Sequence, residues 1–403
     1  MDKAEELFLA VLRSALHGDE LKLNEKPEQE TLRRLFRLAR EQSLLPLVTQ
    51  SLAQCAETRD AAILRIYTRL ARAETLRQAR RTGDFLLLLR QLSARGLRPA
   101  VLKGTVCRSL YPEPEQRPST DEDLLISPEV FPRYHDALLA CGLRLKDPDR
   151  SPEGEDEVTY IDPDRDLYLE VHLRPFSDDD GACGDCSRAF ADAFSRAVPV
   201  RIYGQSVYTL APTDHLLFLL CHAYKHILYG GVGVRQICDI CLFAERFAGE
   251  IEWDRVRVTC ADLKMLNLAA AFFRIGERHL GIPCPASFSD LAVDELPLLA
   301  DCLSGGVYGA DDPDRLHSSR ITLDAVAAQK RGRGGHGIWN SLFPGKEYLK
   351  NNYLYARKFP VLLPIAWAHR IGKYVFRGKT SASRSLRIGR ERVELLRQYK
   401  IIP

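Results

Sequence analysis

The segment Arg117-Pro-Ser-Thr-Asp-Glu-Asp-Leu-Leu-Ile126 carries two aspartates, Asp121 and Asp123, just ahead of an apolar run. In an extended strand alternate residues share a face. Asp121, Asp123 and Leu125 then point one way, and Glu122, Leu124 and Ile126 the other. Two carboxylates so close repel each other, and a hard cation such as Mg²⁺ relieves the conflict. A solvated acidic loop ahead of a strand is the alternative, and an Asp-x-Asp triplet alone does not separate the two.

Two other segments favour the cation. Leu102-Lys-Gly-Thr105 lies at a strand-to-helix junction. A small residue there lets a phosphate approach the N–H groups of the helix N-terminus. The Thr105 hydroxyl and the Lys103 ammonium add contacts; a plain helix start with a solvated lysine is the other reading. In Leu167-Tyr-Leu-Glu-Val-His-Leu173 the apolar residues alternate strictly with Tyr168, Glu170 and His172. Glu170 and His172 therefore project together, as a third acidic group with its neighbour or as the outward side of an amphipathic strand. Arg117 is a candidate phosphate contact.

Other constellations are weaker. His222 and His226, with Lys225 between them, stand at i and i+4 of a helix, a spacing that can hold a metal. No glutamate completes a His-Glu-x-x-His pattern, which favours lining a cleft or buried hydrogen bonding. Asp239 is expected to cap its helix or to pair with Arg235. Cys183/Cys186 and Cys238/Cys241 together offer four thiolates for zinc. The separation of 52 positions from Cys186 to Cys238 exceeds compact zinc-ribbon spacing, and helical packing explains the second pair. Gly378-Lys379-Thr380 is no P-loop, because Lys373 stands where an earlier glycine is needed.

A glycine-containing strand–helix turn, an Asp-x-Asp on the next strand and an acidic residue on a later one resemble the polymerase-beta-like nucleotidyltransferase superfamily. The order Val101-Leu-Lys-Gly-Thr105, Leu110-Tyr-Pro112, Arg117, Asp121-x-Asp-Leu-Leu125, Glu170-Val-His172 is similar to one branch more closely. That branch is a largely uncharacterised bacterial nucleotidyltransferase family. The likeness is densest over 99–175 and continues through Cys221-His-Ala-Tyr-Lys-His226 and Val234-Arg-Gln-Ile-Cys-Asp239. The superfamily usually has Gly-Ser or Gly-Gly at the phosphate turn; the branch shares Lys-Gly with this chain.

The resemblance implies two Mg²⁺ ions held by Asp121, Asp123 and Glu170. It implies a nucleoside triphosphate contacted by Lys103, Gly104, Thr105 and Arg117. A nucleoside monophosphate, AMP by expectation, would pass to an acceptor hydroxyl on a small molecule, sugar or protein. Glu170 can instead act as general base, while His172, His222, Lys225 and His226 contact substrate or support the ligands. Two other readings stand beside this one. One is a nucleotide-binding regulatory protein without catalysis. The other is a nucleic-acid or membrane-surface binder using the basic C-terminal region.

The elements that must position these residues read as α+β, a small mixed sheet flanked by helical regions. Residues 1–95 show helical periodicity, with Leu86–Leu89 and Leu92 as a dense core stripe. A sheet domain is expected over 96–210, with strands at Pro99–Leu102, Glu122–Ile126 and Leu143–Leu145, helices at Gly104–Tyr111 and Pro128–Cys141, and hairpins at Glu157–Leu173 and Val198–Leu210. A helical domain over 211–300 starts with Thr213 as N-cap and closes the cleft. The region 301–403 is basic, with a Gly/Arg-rich loop at Arg331–Gly337 and a helix at Ser381–Gln398.

The 403 residues are 45% hydrophobic and 28% charged, the balance of a globular protein with a sizeable core. The net charge of +3 is uneven: 19 Lys/Arg and 4 Asp/Glu fall from Arg315 onward, leaving the earlier part acidic. That basic end can attract an anionic partner or dock on the acidic body. The first residues lack the pattern of a signal peptide, and the longest apolar run, Phe359–Ala368, is short and broken by prolines. A cytoplasmic location with reduced cysteines is the expectation.

Overall fold

The computed structural model describes residues 1–307 except 150, 153 and 178–181, scattered residues between 315 and 365, and 379–403. Four helices fill the N-terminal region: α1 (Lys3–His17), α2 (Gln29–Glu41), α3 (Leu45–Gln54) and α4 (Ala62–Ala94). α1 opens on a capping box, in which Asp2 accepts from Ala4 and Glu5 while Glu5 reaches back to the Asp2 N–H. It stops at Gly18 in the left-handed conformation. α4 buries Phe85, Leu86, Leu88, Leu89 and Leu92 along one stripe, with Leu87 turned outward.

One mixed sheet of seven strands follows, ordered β3-β4-β5-β2-β1-β7-β6. Its members are β1 (Ala100–Val101), β2 (Glu122–Leu125), β3 (Arg144–Leu145), β4 (Glu157–Asp162), β5 (Leu167–His172), β6 (Val198–Ile202) and β7 (Gln205–Thr209). Helix α5 (Lys103–Arg108) leaves β1, and α6 (Phe131–Ala140) follows β2. Both expected hairpins are present as antiparallel pairs, β4 with β5 and β6 with β7. The first turns on Asp162, whose Oδ1 accepts from the Asp164 and Arg165 N–H groups. β1 pairs parallel to β7, and β2 parallel to β5. All four residues of β2 are buried.

Helices α7 (Pro212–Tyr229), α8 (Val234–Arg246), α9 (Trp253–Asp262) and α10 (Leu266–Ile275) pack next, and α10 runs into a π-helical turn at Gly276–Leu280. The N-cap of α7 is Ala211 with Pro212 at the first helical position, so Thr213 is not the expected cap. Its buried hydroxyl instead accepts the Glu252 N–H at the start of α9. The N-terminal helices belong to the same core as these. Buried Gln42 ties them directly, donating to Cys302 O and accepting from Val234 N.

Most of the basic stretch after Arg315 lies outside the described residues, including the loop at 331–337 and Gly378. Beyond scattered residues up to 365, of which Val326 joins the core, a helix is described at Lys379–Gln398, followed by Tyr399, Ile401 and Ile402, which also join the core. Among the described residues no helix is long and apolar enough to cross a membrane.

Candidate active site

The parallel register of β2 and β5 sets Asp123 opposite Glu170 and Leu125 opposite His172. One ligand atom each from Asp123, Glu170 and His172 lies within 4.8 Å of the others. Among the described residues this is the one such group of three or more potential ligands. His172 Nε2 donates to Asp123 Oδ1 at 3.1 Å. The Lys103 ammonium donates to the same oxygen at 2.9 Å and to His222 Nε2 at 2.9 Å. Asp121 precedes the strand, half-buried, and lines the same cavity as Lys103, Gly104, Arg117 and Asp123, but stands outside the 4.8 Å group.

The electrostatics of the two carboxylates diverge. Burial works against ionised Asp123, but Lys103 and His172 outweigh it and hold the acid well below the usual carboxylate range. Glu170 is pushed up to about 7, by burial first and then by the negative charges of Asp123, Asp121 and Glu157. His222 is held neutral by burial and by the adjacent Lys103, as is His226, pushed down to about 3. This donor set fits a divalent cation: oxygen-rich, partly buried, and carrying more negative charge than its one ammonium balances.

The turn above this group is built differently from the expectation. A Cβ on Gly104 would press into Glu122 Oε2, so glycine suits a turn with a carboxylate packed beneath it. That carboxylate accepts the Thr105 N–H at 3.1 Å and the Thr105 hydroxyl at 2.8 Å. It also pairs with Arg108, whose side chain is fully buried. Thr105 is itself fully buried and receives a second hydrogen bond from Arg108. In this structure its hydroxyl and N–H are both engaged by Glu122. Lys103 and Gly104 do line the cavity.

Arg117 is likewise committed. Its Nε donates to Asp239 Oδ1 at 2.9 Å and its Nη2 to Oδ2, a bidentate buried pair that Tyr111 completes with a 2.8 Å bond. Asp239 thus pairs with Arg117 rather than with Arg235. Only Arg117 Nη1 is left without a partner, on a residue lining the cavity.

The family model described as "Uncharacterised nucleotidyltransferase" matches residues 28–281. The chain belongs to that family. No curated protein and no solved structure matches it. The match runs from the start of α2 past the π-helical turn, so it spans the whole cavity. Membership supports nucleotidyl transfer and a nucleotide substrate, and such enzymes usually take a divalent metal.

The remaining sequence candidates fall into place around this family core. His226 Nε2 stands 3.2 Å from His222 Nε2, so the two imidazoles do share a face, beside Lys103 rather than in the 4.8 Å group. The two cysteine pairs do not meet as one cluster among the described residues. All four are buried thiols: Cys186 shares a hydrogen bond with Cys221 of α7, while Cys241 contacts Phe272 O. Sequence reasoning missed Glu122 and Arg108, although a charge on the core-facing side of β2 was itself a signal that a buried partner exists.

Proposed function

We propose that the protein transfers a nucleoside monophosphate, AMP in the first instance, from a nucleoside triphosphate to an acceptor hydroxyl. The observation that carries this reading is the convergence of Asp123, Glu170 and His172 beside the Lys103–Gly104 turn, within the span matched by the family. Asp121, Asp123 and Glu170 are the oxygen donors for Mg²⁺. When bound, two such ions supply charge neutralisation to the triphosphate and acidify the acceptor hydroxyl. Lys103 and Arg117 Nη1 are the protein's own cationic contacts for the phosphates, and His172 orients Asp123.

The acceptor oxygen forms a bond to the α-phosphorus as the bond to the β-bridging oxygen breaks, and pyrophosphate leaves with that electron pair. With Glu170 engaged as an oxygen donor, the hydroxyl proton passes to water. The cavity holds only about 30 Å³, so binding a nucleotide requires its lining side chains to part. The test is Mg²⁺-dependent pyrophosphate release from a nucleoside triphosphate. Asp123→Asn, which keeps size and removes charge, should abolish release while thermal unfolding stays cooperative; retained release defeats the assignment.

A further inference from the structure

A second cavity, about 210 Å³, opens between α2, α4 and the loop leading into β2. Its walls carry four arginines, Arg40, Arg77, Arg81 and Arg235, against a single carboxylate, Glu74. It meets the candidate active site at Ser119 and Arg235, which line both cavities. The 117–123 segment runs between the two cavities, with Ser119 lining both. Arg117, Asp121 and Asp123 line the first cavity, and Pro118 and Thr120 the second.

Two of the arginines hold the loop. Arg81 donates to Ser119 O at 3.0 Å and pairs with Asp166 at 2.7 Å, and Arg235 donates to Pro118 O. The other two, Arg40 and Arg77, are exposed on either helix. Both lie close enough to half-buried Glu74 to oppose the rise that burial causes in its pKa. With Glu74 ionised and Arg81 paired with Asp166, the groove still carries an excess of two positive charges.

We infer that this groove binds a phosphate group carried by the acceptor. The acceptor is then a phosphorylated small molecule whose reacting hydroxyl extends past Ser119 toward Asp121. The guanidinium fork matches phosphate geometry. The triphosphate has its own cations, Lys103 and Arg117, on the other side of the 117–123 segment. A cavity of this size holds one phosphate and the first atoms of its carrier, whereas a nucleic-acid strand needs a groove that tracks several nucleotides. The word acceptor rests on the nucleotidyl-transfer reading; the phosphate rests on the groove alone.

The test is calorimetric titration of the full chain with inorganic phosphate, in EDTA at low salt. Wild-type protein and Lys103→Met should bind alike, and Arg40→Ala/Arg77→Ala should bind about tenfold or more weakly. No binding by the wild type overturns the inference, as does loss of binding in Lys103→Met with retention in the arginine variant. With Mg²⁺ and a non-hydrolysable triphosphate, the arginine variant should bind like wild type. A tenfold loss there assigns the groove to the triphosphate instead, and overturns the acceptor assignment. In the transfer assay, phosphorylated polyols should be used in preference to their unphosphorylated forms, and the arginine variant should lose that preference. Preference for an RNA oligonucleotide overturns it. Asp123→Asn should bind phosphate normally, so failure of the transfer reading and failure of the groove give different results.

Discussion

Glu170 offers a direct measure of how much the acidic group strains the fold. In an unfolded chain a glutamate ionises near 4.5, whereas here burial and then the neighbouring carboxylates push it up to about 7. Below the lower value both states hold the proton and nothing is lost. As pH rises, the unfolded chain releases its proton first, so the native state loses stability until the folded group also ionises near 7. A displacement of this size corresponds to about 3 kcal/mol at pH 8. Glu170→Gln keeps the shape and removes the titration. It should match wild type near pH 4.5 and exceed it by about 2–3 kcal/mol at pH 8, read from urea unfolding in EDTA. Saturating Mg²⁺ should stabilise wild type preferentially and narrow the gap. A difference that does not change with pH would refute the reasoning, because it would locate the effect in packing rather than in charge.

Three substitutions test the supports of the site. Arg108→Met leaves Glu122 buried without its partner and should cost about 3–5 kcal/mol in urea unfolding; adding Glu122→Gln should recover part of that loss. Gly104→Ala drives a Cβ into Glu122 Oε2. It should lower the melting temperature and the affinity for a triphosphate together, and an unchanged melt would show that the turn yields freely. Asp239→Ala strips both bonds from buried Arg117 and should destabilise by about 3–5 kcal/mol. A cost under 1 kcal/mol would mean that solvent reaches the guanidinium.

Much of the site was legible because strand alternation is a strict rule. Tyr168, Glu170 and His172 could be set on one face from spacing alone, and both hairpins followed from turn residues such as Asp162–Asp166 and Gly204. Parallel pairing was not legible: nothing local says that β2 lies beside β5, and that register is what brings Asp123 to Glu170. Long-range ion pairs were hidden for the same reason. Asp239 has an arginine four residues away, yet pairs with Arg117, 122 residues distant. Thr213 resembled a cap because its type and place were right, but Pro212 had already set the helix start.

The place of β1 between β2 and β7 has a consequence for how the chain acquires its structure. Asp123 and His172 are 49 residues apart, whereas Lys103 meets His222 across 119 and Val101 meets Thr209 across 108. Longer loops cost more entropy to close, and distant pairings form later. The acidic group is therefore the more local part of the site, and the Lys103–His222 contact from α7 closes the longer loop.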